Sequence, residues 1–331
     1  MAFKQRALQF AALVGGAFAS LKLYAPFAVR RFEDLGPETA GAPGLFIDVA
    51  GVRLHYVEAG RGEPVVLIHG LNGSTFGFRY TIPELARSFR VVAFDLKGCG
   101  YSARPAKSDY SLTAHAELVA HAMAALGIER AAVVGHSLGG AIAMRLASRF
   151  PQRVERLILV DSATDRDVRR GLRTAWLARP LSPVIAMLTL HRKGFRRRVA
   201  LTLVHDPAHF TPELIEAFFY TSRMKGHARA LSLLAAHRGR DEPLDLTTIH
   251  APTLILWGEH DRWLPIASGE ELARALPNAR LDAVPSAGHL PLEEQVAYCN
   301  RALLSFLGSA EGNVATAPAP PTGAKTVTQT S

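Results

Sequence analysis

Between residues 45 and 308, short apolar runs alternate with longer stretches whose apolar residues return every three to four positions. The runs Leu45–Val49, Val52–Glu58, Pro64–His69, Val91–Asp95, Ala131–His136, Arg156–Val160, Pro252–Gly258 and Ala279–Val284 read as strands. The first two form an opening hairpin about Ala50-Gly51. PVVLIHG, AAVVGHS and RLILVDS are almost continuous Val, Ile and Leu, which suits strands covered on both faces. Between strands, Ser111 stands as an N-cap before Leu112, His115, Leu118, Val119 and Ala122, which share one helical face. Strands alternating with amphipathic helices predict an α/β fold with a doubly wound, mostly parallel eight-stranded sheet.

One segment breaks the alternation. Residues 162–250 hold no good parallel strand but several helical patterns, among them Thr211-Pro212 followed by Leu214, Ile215, Phe218 and Phe219. They read as a helical cap inserted between two parts of a core, 45–161 and 251–308, above the C-terminal edge of the sheet where open α/β sheets bind ligands. Residues 309–331, rich in Ala, Pro, Thr and Gly without an apolar period, read as a disordered tail.

Residues 1–31 are the remaining unit. Two readings compete for their apolar stretch, residues 7–21, beside that of an ordinary amphipathic helix. One is a membrane anchor that resumes after Lys22 as LYAPFAV. The other is a secretory signal cleaved after Ala17-Phe18-Ala19, with export of the rest.

Composition narrows the classes. The chain of 331 residues is 48% hydrophobic and 20% charged, which suits one large core and excludes a disordered protein. Two cysteines, Cys99 and Cys299, exclude a disulfide scaffold and a multi-cysteine zinc site. The net charge of +9 is concentrated: residues 1–31 carry five basic residues and no acid, and residues 162–199 carry ten against two acids. Both patches are interleaved with long apolar stretches. That favours a membrane surface as partner over nucleic acid.

The candidate chemistry sits at turns that follow strands. Gly135-His136-Ser137-Leu138-Gly139 comes directly after one strand and before the helical run AIAMRLASRF. This G-x-S-x-G pattern is a nucleophile elbow, whose glycines let strand and helix pack closely while the serine is thrust above the sheet. Two other motifs are set aside. Gly98–Ala103 imitates a dinucleotide fingerprint, but Arg104-Pro105 interrupts the helix it would need. His205 and His209 have metal-ligand spacing, but Pro207 stands between them. No cofactor and no metal are called for.

Over roughly residues 45–308 the chain resembles the α/β-hydrolase superfamily, most closely its serine-esterase and monoacylglycerol-lipase-like branch. The family order of nucleophile, acid, histidine is met by Ser137, by Asp261 in WGEHDRWLP, and by His289 in VPSAGHLP. Asp161, which also ends a strand, is the rival acid. The resemblance implies that His289 takes the Ser137 proton while Asp261 orients the imidazole. It also implies that the backbone N–H groups of Leu71 and Leu138 form the oxyanion hole. It implies hydrolysis of carboxylic esters of acyl lipids, a small-molecule substrate. The alternatives are another chemistry on the same triad (thioesterase, carbon–carbon bond hydrolase or cofactor-free haloperoxidase) and a non-catalytic binding protein. The carbon–carbon hydrolases of the superfamily usually carry Asn before the serine and Trp after the histidine, where this chain has His136 and Leu290.

Overall fold

A computed structural model describes residues 23–167, 192–237 and 241–309. The expected tail and the apolar stretch at residues 7–21 lie outside them.

The strands are β1 (Leu45–Val49), β2 (Val52–Ala59), β3 (Pro64–Ile68), β4 (Arg90–Phe94), β5 (Ala131–His136), β6 (Val154–Val160), β7 (Thr253–Gly258) and β8 (Ala279–Val284). They form one sheet in the order β1-β2-β4-β3-β5-β6-β7-β8. β1 pairs antiparallel with β2, and β2 with β4; every other pairing is parallel. The β1–β2 turn is Ala50-Gly51, both at positive φ (48° and 74°), the conformation whose twist fits a two-residue hairpin.

The principal helices are α1 (Leu112–Ala125), α2 (Leu138–Arg149), α3 (Lys193–Leu203), α4 (Pro212–Phe219), α5 (His227–His237), α6 (Ile266–Ala275) and α7 (Val296–Gly308). The Ser111 hydroxyl accepts the Ala114 N–H, and the Thr211 hydroxyl accepts the Leu214 N–H, so both expected caps are made. Successive strand residues divide between two cores. Val66, Ile68, Val92, Phe94 and Val133 meet α1, α2 and α6. Val65, Leu67, Val91, Ala93 and Val134 meet α7 and residues 78–85. Both faces are dry, which is why these strands read as unbroken apolar runs.

β3 lies between β4 and β5, so the chain runs outward in opposite directions from the β3/β5 junction. The loops leaving β3 and β5 therefore open into a crevice at the C-terminal edge. Helices α3 to α5 lie between β6 and β7 in sequence and cover this crevice. Arg145 of α2 pairs with Asp165 at 2.9 Å and with Asp241 at 3.8 Å, fastening both ends of that segment to the helix after Ser137.

LYAPFAV, read as the resumption of an apolar anchor, belongs to a helix with one face packed on the protein. Residues 23–32 form a helix that buries Ala25 and Val29 against the body and leaves Leu23, Tyr24 and Phe27 exposed. No helix of the described residues is long and apolar enough to cross a membrane. Beyond it, Leu35 pairs with Met224, and Glu33 accepts the N–H groups of Gly226 and Ala228 at 2.7 Å, so this arm packs on the cap, not on the sheet. Arg196, one of the basic residues of the second patch, is buried, holds Glu216 at 2.8 and 2.9 Å, and lies over the rings of Phe32 and Phe219.

Candidate active site

Ser137 sits between β5 and α2 at φ 52°, a left-handed conformation that costs a non-glycine residue energy. Close backbone contact enforces the turn. A Cβ on Gly139 would stand 2.1 Å from the Ile68 carbonyl oxygen, and one on Gly135 would stand 2.5 Å from that of Gly139. Neither position admits a larger residue.

The structure brings Ser137, Asp261 and His289 together from three different turns. His289 Nε2 lies 3.0 Å from Ser137 Oγ, and His289 Nδ1 lies 2.7 Å from Asp261 Oδ2. The carboxylate can only accept, so Nδ1 carries the proton and Nε2 is free to accept from the serine hydroxyl. Asp261 Oδ1 accepts the N–H groups of Trp263 at 2.7 Å and Leu264 at 3.0 Å. Burial by itself would raise the Asp261 carboxyl; the bond and charge of His289, with these two N–H groups, outweigh it and hold the pKa below the ordinary value. Asp161 ends β6 one strand away, fully buried.

Leu71 and Leu138 both line the cavity above Ser137. Leu138 opens α2, where first-turn N–H groups point out of the helix. The β3 loop presses against the nucleophile, since a Cβ on Gly70 would stand 3.0 Å from Ser137 Cβ. His69 fixes that loop: its Nδ1 donates to the Gly70 carbonyl at 2.7 Å, and its Nε2 accepts the Leu96 N–H at 3.0 Å.

Several neighbours were not singled out by their residue types. His136 Nε2 donates to the His289 carbonyl at 2.8 Å, and burial, then the charge of His289, push its pKa down to about 3. Trp263 stacks on the His289 ring at 6.0 Å and donates from Nε1 to Thr202 of α3 at 3.0 Å. Glu294 is buried and accepts N–H groups from His205 (2.6 Å), Asp206 (3.1 Å) and Gly288 (2.7 Å). The five-residue spacing from His289 to Glu294 was the available signal, but the partners of Glu294 are backbone groups that no side-chain pattern announces.

The cavity at Ser137 measures about 670 Å³ and runs under the cap, with Phe195, Leu203, Phe210, Phe218, Phe219 and Leu292 among its walls. Its acids are Asp167 and Glu293, the latter held at 2.5 Å by both terminal nitrogens of Arg79. Among the described residues no Lys or Arg lines it. A second cavity of about 750 Å³ lies between residues 26–33 and 225–233, but its lining includes neither Ser137 nor His289. Oxygens of Asp161 and Asp261 and a nitrogen of His289 converge within 4.8 Å, as metal ligands would, but Asp261 and His289 are committed to each other. His205 stacks on His260 at 4.0 Å.

Known proteins match this arrangement. The family profile of the alpha/beta hydrolase fold matches residues 63–296. A 2-hydroxymuconate semialdehyde hydrolase of Pseudomonas putida is 31% identical over 290 residues, spanning 83% of this chain and 98% of that protein. The solved structure of a meta-cleavage product hydrolase from Pseudomonas fluorescens superposes with a TM-score of 0.70 at 30% identity, over 81% of this chain and 98% of that one. A thermophilic esterase from Thermogutta terrifontis superposes with a TM-score of 0.66 at 25% identity, over 80% and 98%.

Proposed function

This chain belongs to the α/β-hydrolase family, and on that premise we propose that it hydrolyses carboxylic esters of neutral, apolar-chain acyl lipids at Ser137. His289 Nε2 removes the hydroxyl proton as Ser137 Oγ attacks the ester carbonyl, and Asp261 balances the imidazolium. The N–H groups of Leu71 and Leu138 receive the tetrahedral oxyanion. Collapse expels the alcohol, which takes the proton from His289. Water, activated by the same histidine, then releases the acid and restores Ser137.

The observation that carries this reading is the cavity: apolar walls on both sides of Ser137, and no cation along them among the described residues. A muconate substrate, such as the one named for the Pseudomonas putida relative, is a carboxylate. Burying that charge without a partner is costly. A neutral acyl chain meets no such penalty, and covering it with aromatic and aliphatic walls is favourable.

A panel of p-nitrophenyl esters of rising chain length, run beside 2-hydroxymuconate semialdehyde, tests the choice. Ester turnover should exceed semialdehyde turnover. Ser137→Ala should lower it by about 10⁴-fold and abolish labelling by a serine-directed phosphonate. Faster cleavage of the semialdehyde would reassign the enzyme to carbon–carbon hydrolysis.

The location that goes with this reading is a membrane surface. Exposed Leu23, Tyr24 and Phe27, with Arg30 and Arg31 beside them, suit an amphipathic helix lying in a headgroup layer. Sequencing the N-terminus of the protein recovered from cells separates retention from export after cleavage.

A further inference from the structure

The backbone of Asp161 is in the left-handed region, at φ 39°, a strained conformation for a residue with a side chain. It is held there from β7: the Asp161 N–H donates to the Leu256 carbonyl at 3.0 Å, and Asp161 Oδ1 accepts the Gly258 N–H at 3.0 Å. The side chain thus lies across the end of the strand that leads into the Asp261 turn. Its Oδ2 is buried and makes no hydrogen bond of ordinary geometry, and the Asp261 carboxyl is the group beside it.

Oxygens of Asp161 and Asp261 and a ring nitrogen of His289 all lie within 4.8 Å of one another. Two buried carboxylates at that separation do not both ionise at neutral pH. The stabilising contacts are shared unequally. Asp261 holds the His289 N–H and two backbone N–H groups; Asp161 holds one. The extra proton therefore rests on Asp161. The titratable groups around it are Asp261 after β7, His289 and Glu294 after β8, and the Cys299 thiol of α7. Burial first, then the charges of Asp261 and Glu294, keep the Asp161 carboxyl neutral.

We propose that Asp161 is a positioning residue of the same site, a second carboxyl that backs Asp261 and supports the His289 imidazolium when Asp261 is lost. The proposal rests on the Ser137 reading above. With Asp261 in place, neutral Asp161 spares the site a second negative charge. With Asp261 replaced by a neutral amide, Asp161 releases its proton to solvent as pH rises and takes the partnership with His289.

The experiment compares Asp261→Asn, Asp161→Asn and the double variant on a short p-nitrophenyl ester across pH, each checked for folding by circular dichroism. Asp261→Asn should lose about 10²–10³-fold in kcat, less than the roughly 10⁴-fold of a triad with no second carboxyl. Its residual rate should climb with pH as Asp161 ionises. The double variant should lose at least about another tenfold and flatten the profile. A merely structural Asp161 would alter folding but not the pH dependence of Asp261→Asn. Identical rates and profiles for the single and double variants overturn the proposal. Should the double variant not fold, a flat profile for Asp261→Asn overturns it alone. Full activity in Ser137→Ala would instead overturn the reading of the site itself; an inactive Ser137→Ala with coincident acid variants removes only the role of Asp161.

Discussion

The backbone N–H of His289 donates to the carbonyl of Leu203 at 2.7 Å. That bond joins the end of α3 to the residue facing Ser137, and Glu294 clamps the same junction by accepting from His205, Asp206 and Gly288. The cap is therefore both the roof of the cavity and part of the frame that holds the histidine. Gly288 permits the approach, since a Cβ there would stand 2.7 Å from His205 N and 2.8 Å from the Leu203 oxygen. Gly288→Ala should push the histidine turn and the cap apart. A displacement near 1 Å costs on the order of 10²-fold in turnover, so kcat on short esters should fall by about that factor with a smaller change in KM. Unchanged kcat would mean the cap contact does not position His289.

Phe218 stands 5.2 Å from Phe76, edge-on, and 5.3 Å from Phe210. Phe210 and Phe218 of this cluster line the cavity. Phe218→Ala should raise KM for octanoate and longer esters by roughly tenfold, from about 1.5 kcal/mol of lost burial and aromatic contact. Acetate esters, too short to reach the wall, should change less than threefold. Equal effects on both would place the acyl chain elsewhere.

Acid should destabilise the protein below about pH 6.5. Burial pushes the pKa of His115 down to about 4, and burial with the charge of His289 pushes His136 down to about 3. The unfolded chain binds protons on these residues near pH 6.5, while the folded chain does not. Their stabilising contribution is thus fully present above that pH and is lost as pH falls toward the folded values, at up to about 1.4 kcal/mol per unit for each histidine. Melting temperature should drop steadily from pH 7 to pH 5. His115 lies on α1, and His115→Gln should make that decline shallower. An unaltered slope would remove His115 from the account.

The basic residues of α3 divide by environment. Arg197 and Arg198 are exposed, whereas Arg196 is buried against Glu216, Phe32 and Phe219. In the full-length protein, Arg197→Gln/Arg198→Gln should weaken binding to anionic vesicles by roughly thirtyfold at low salt, at about 1 kcal/mol per charge, with short-ester turnover retained. Arg196→Gln should instead lower the melting temperature, because it strips a partner from Glu216. Vesicle binding that ignores the double substitution and salt alike would exclude α3 from the membrane contact.

Much of the framework was legible because its causes are local. Apolar runs at Val65–Ile68, Ala131–Val134 and Leu157–Val160 mark strands dry on both faces, and such strands lie in a parallel sheet covered by helices. The Ser137 elbow was readable since its glycines answer to steric contact within one turn. Asp261 and His289 were readable because each closes a strand, and strand ends converge at one edge whatever the sequence between them.

What the sequence by itself determined was the order of strands and helices, the elbow and the positions of three polar side chains at strand ends. Only the tertiary structure decided how those groups are supported. Leu203 meets His289 through a carbonyl, Glu294 meets the cap through backbone N–H groups, and Arg196 is folded inward between a helix of the cap and Phe32. Asp161 was visible as a rival acid, but its relation to Asp261 depends on a 4.8 Å convergence across β6 and β7. Backbone partners carry no residue signature, and burial of a charge is a property of everything packed around it. Both are fixed by packing between segments far apart along the chain, so no local pattern encodes them.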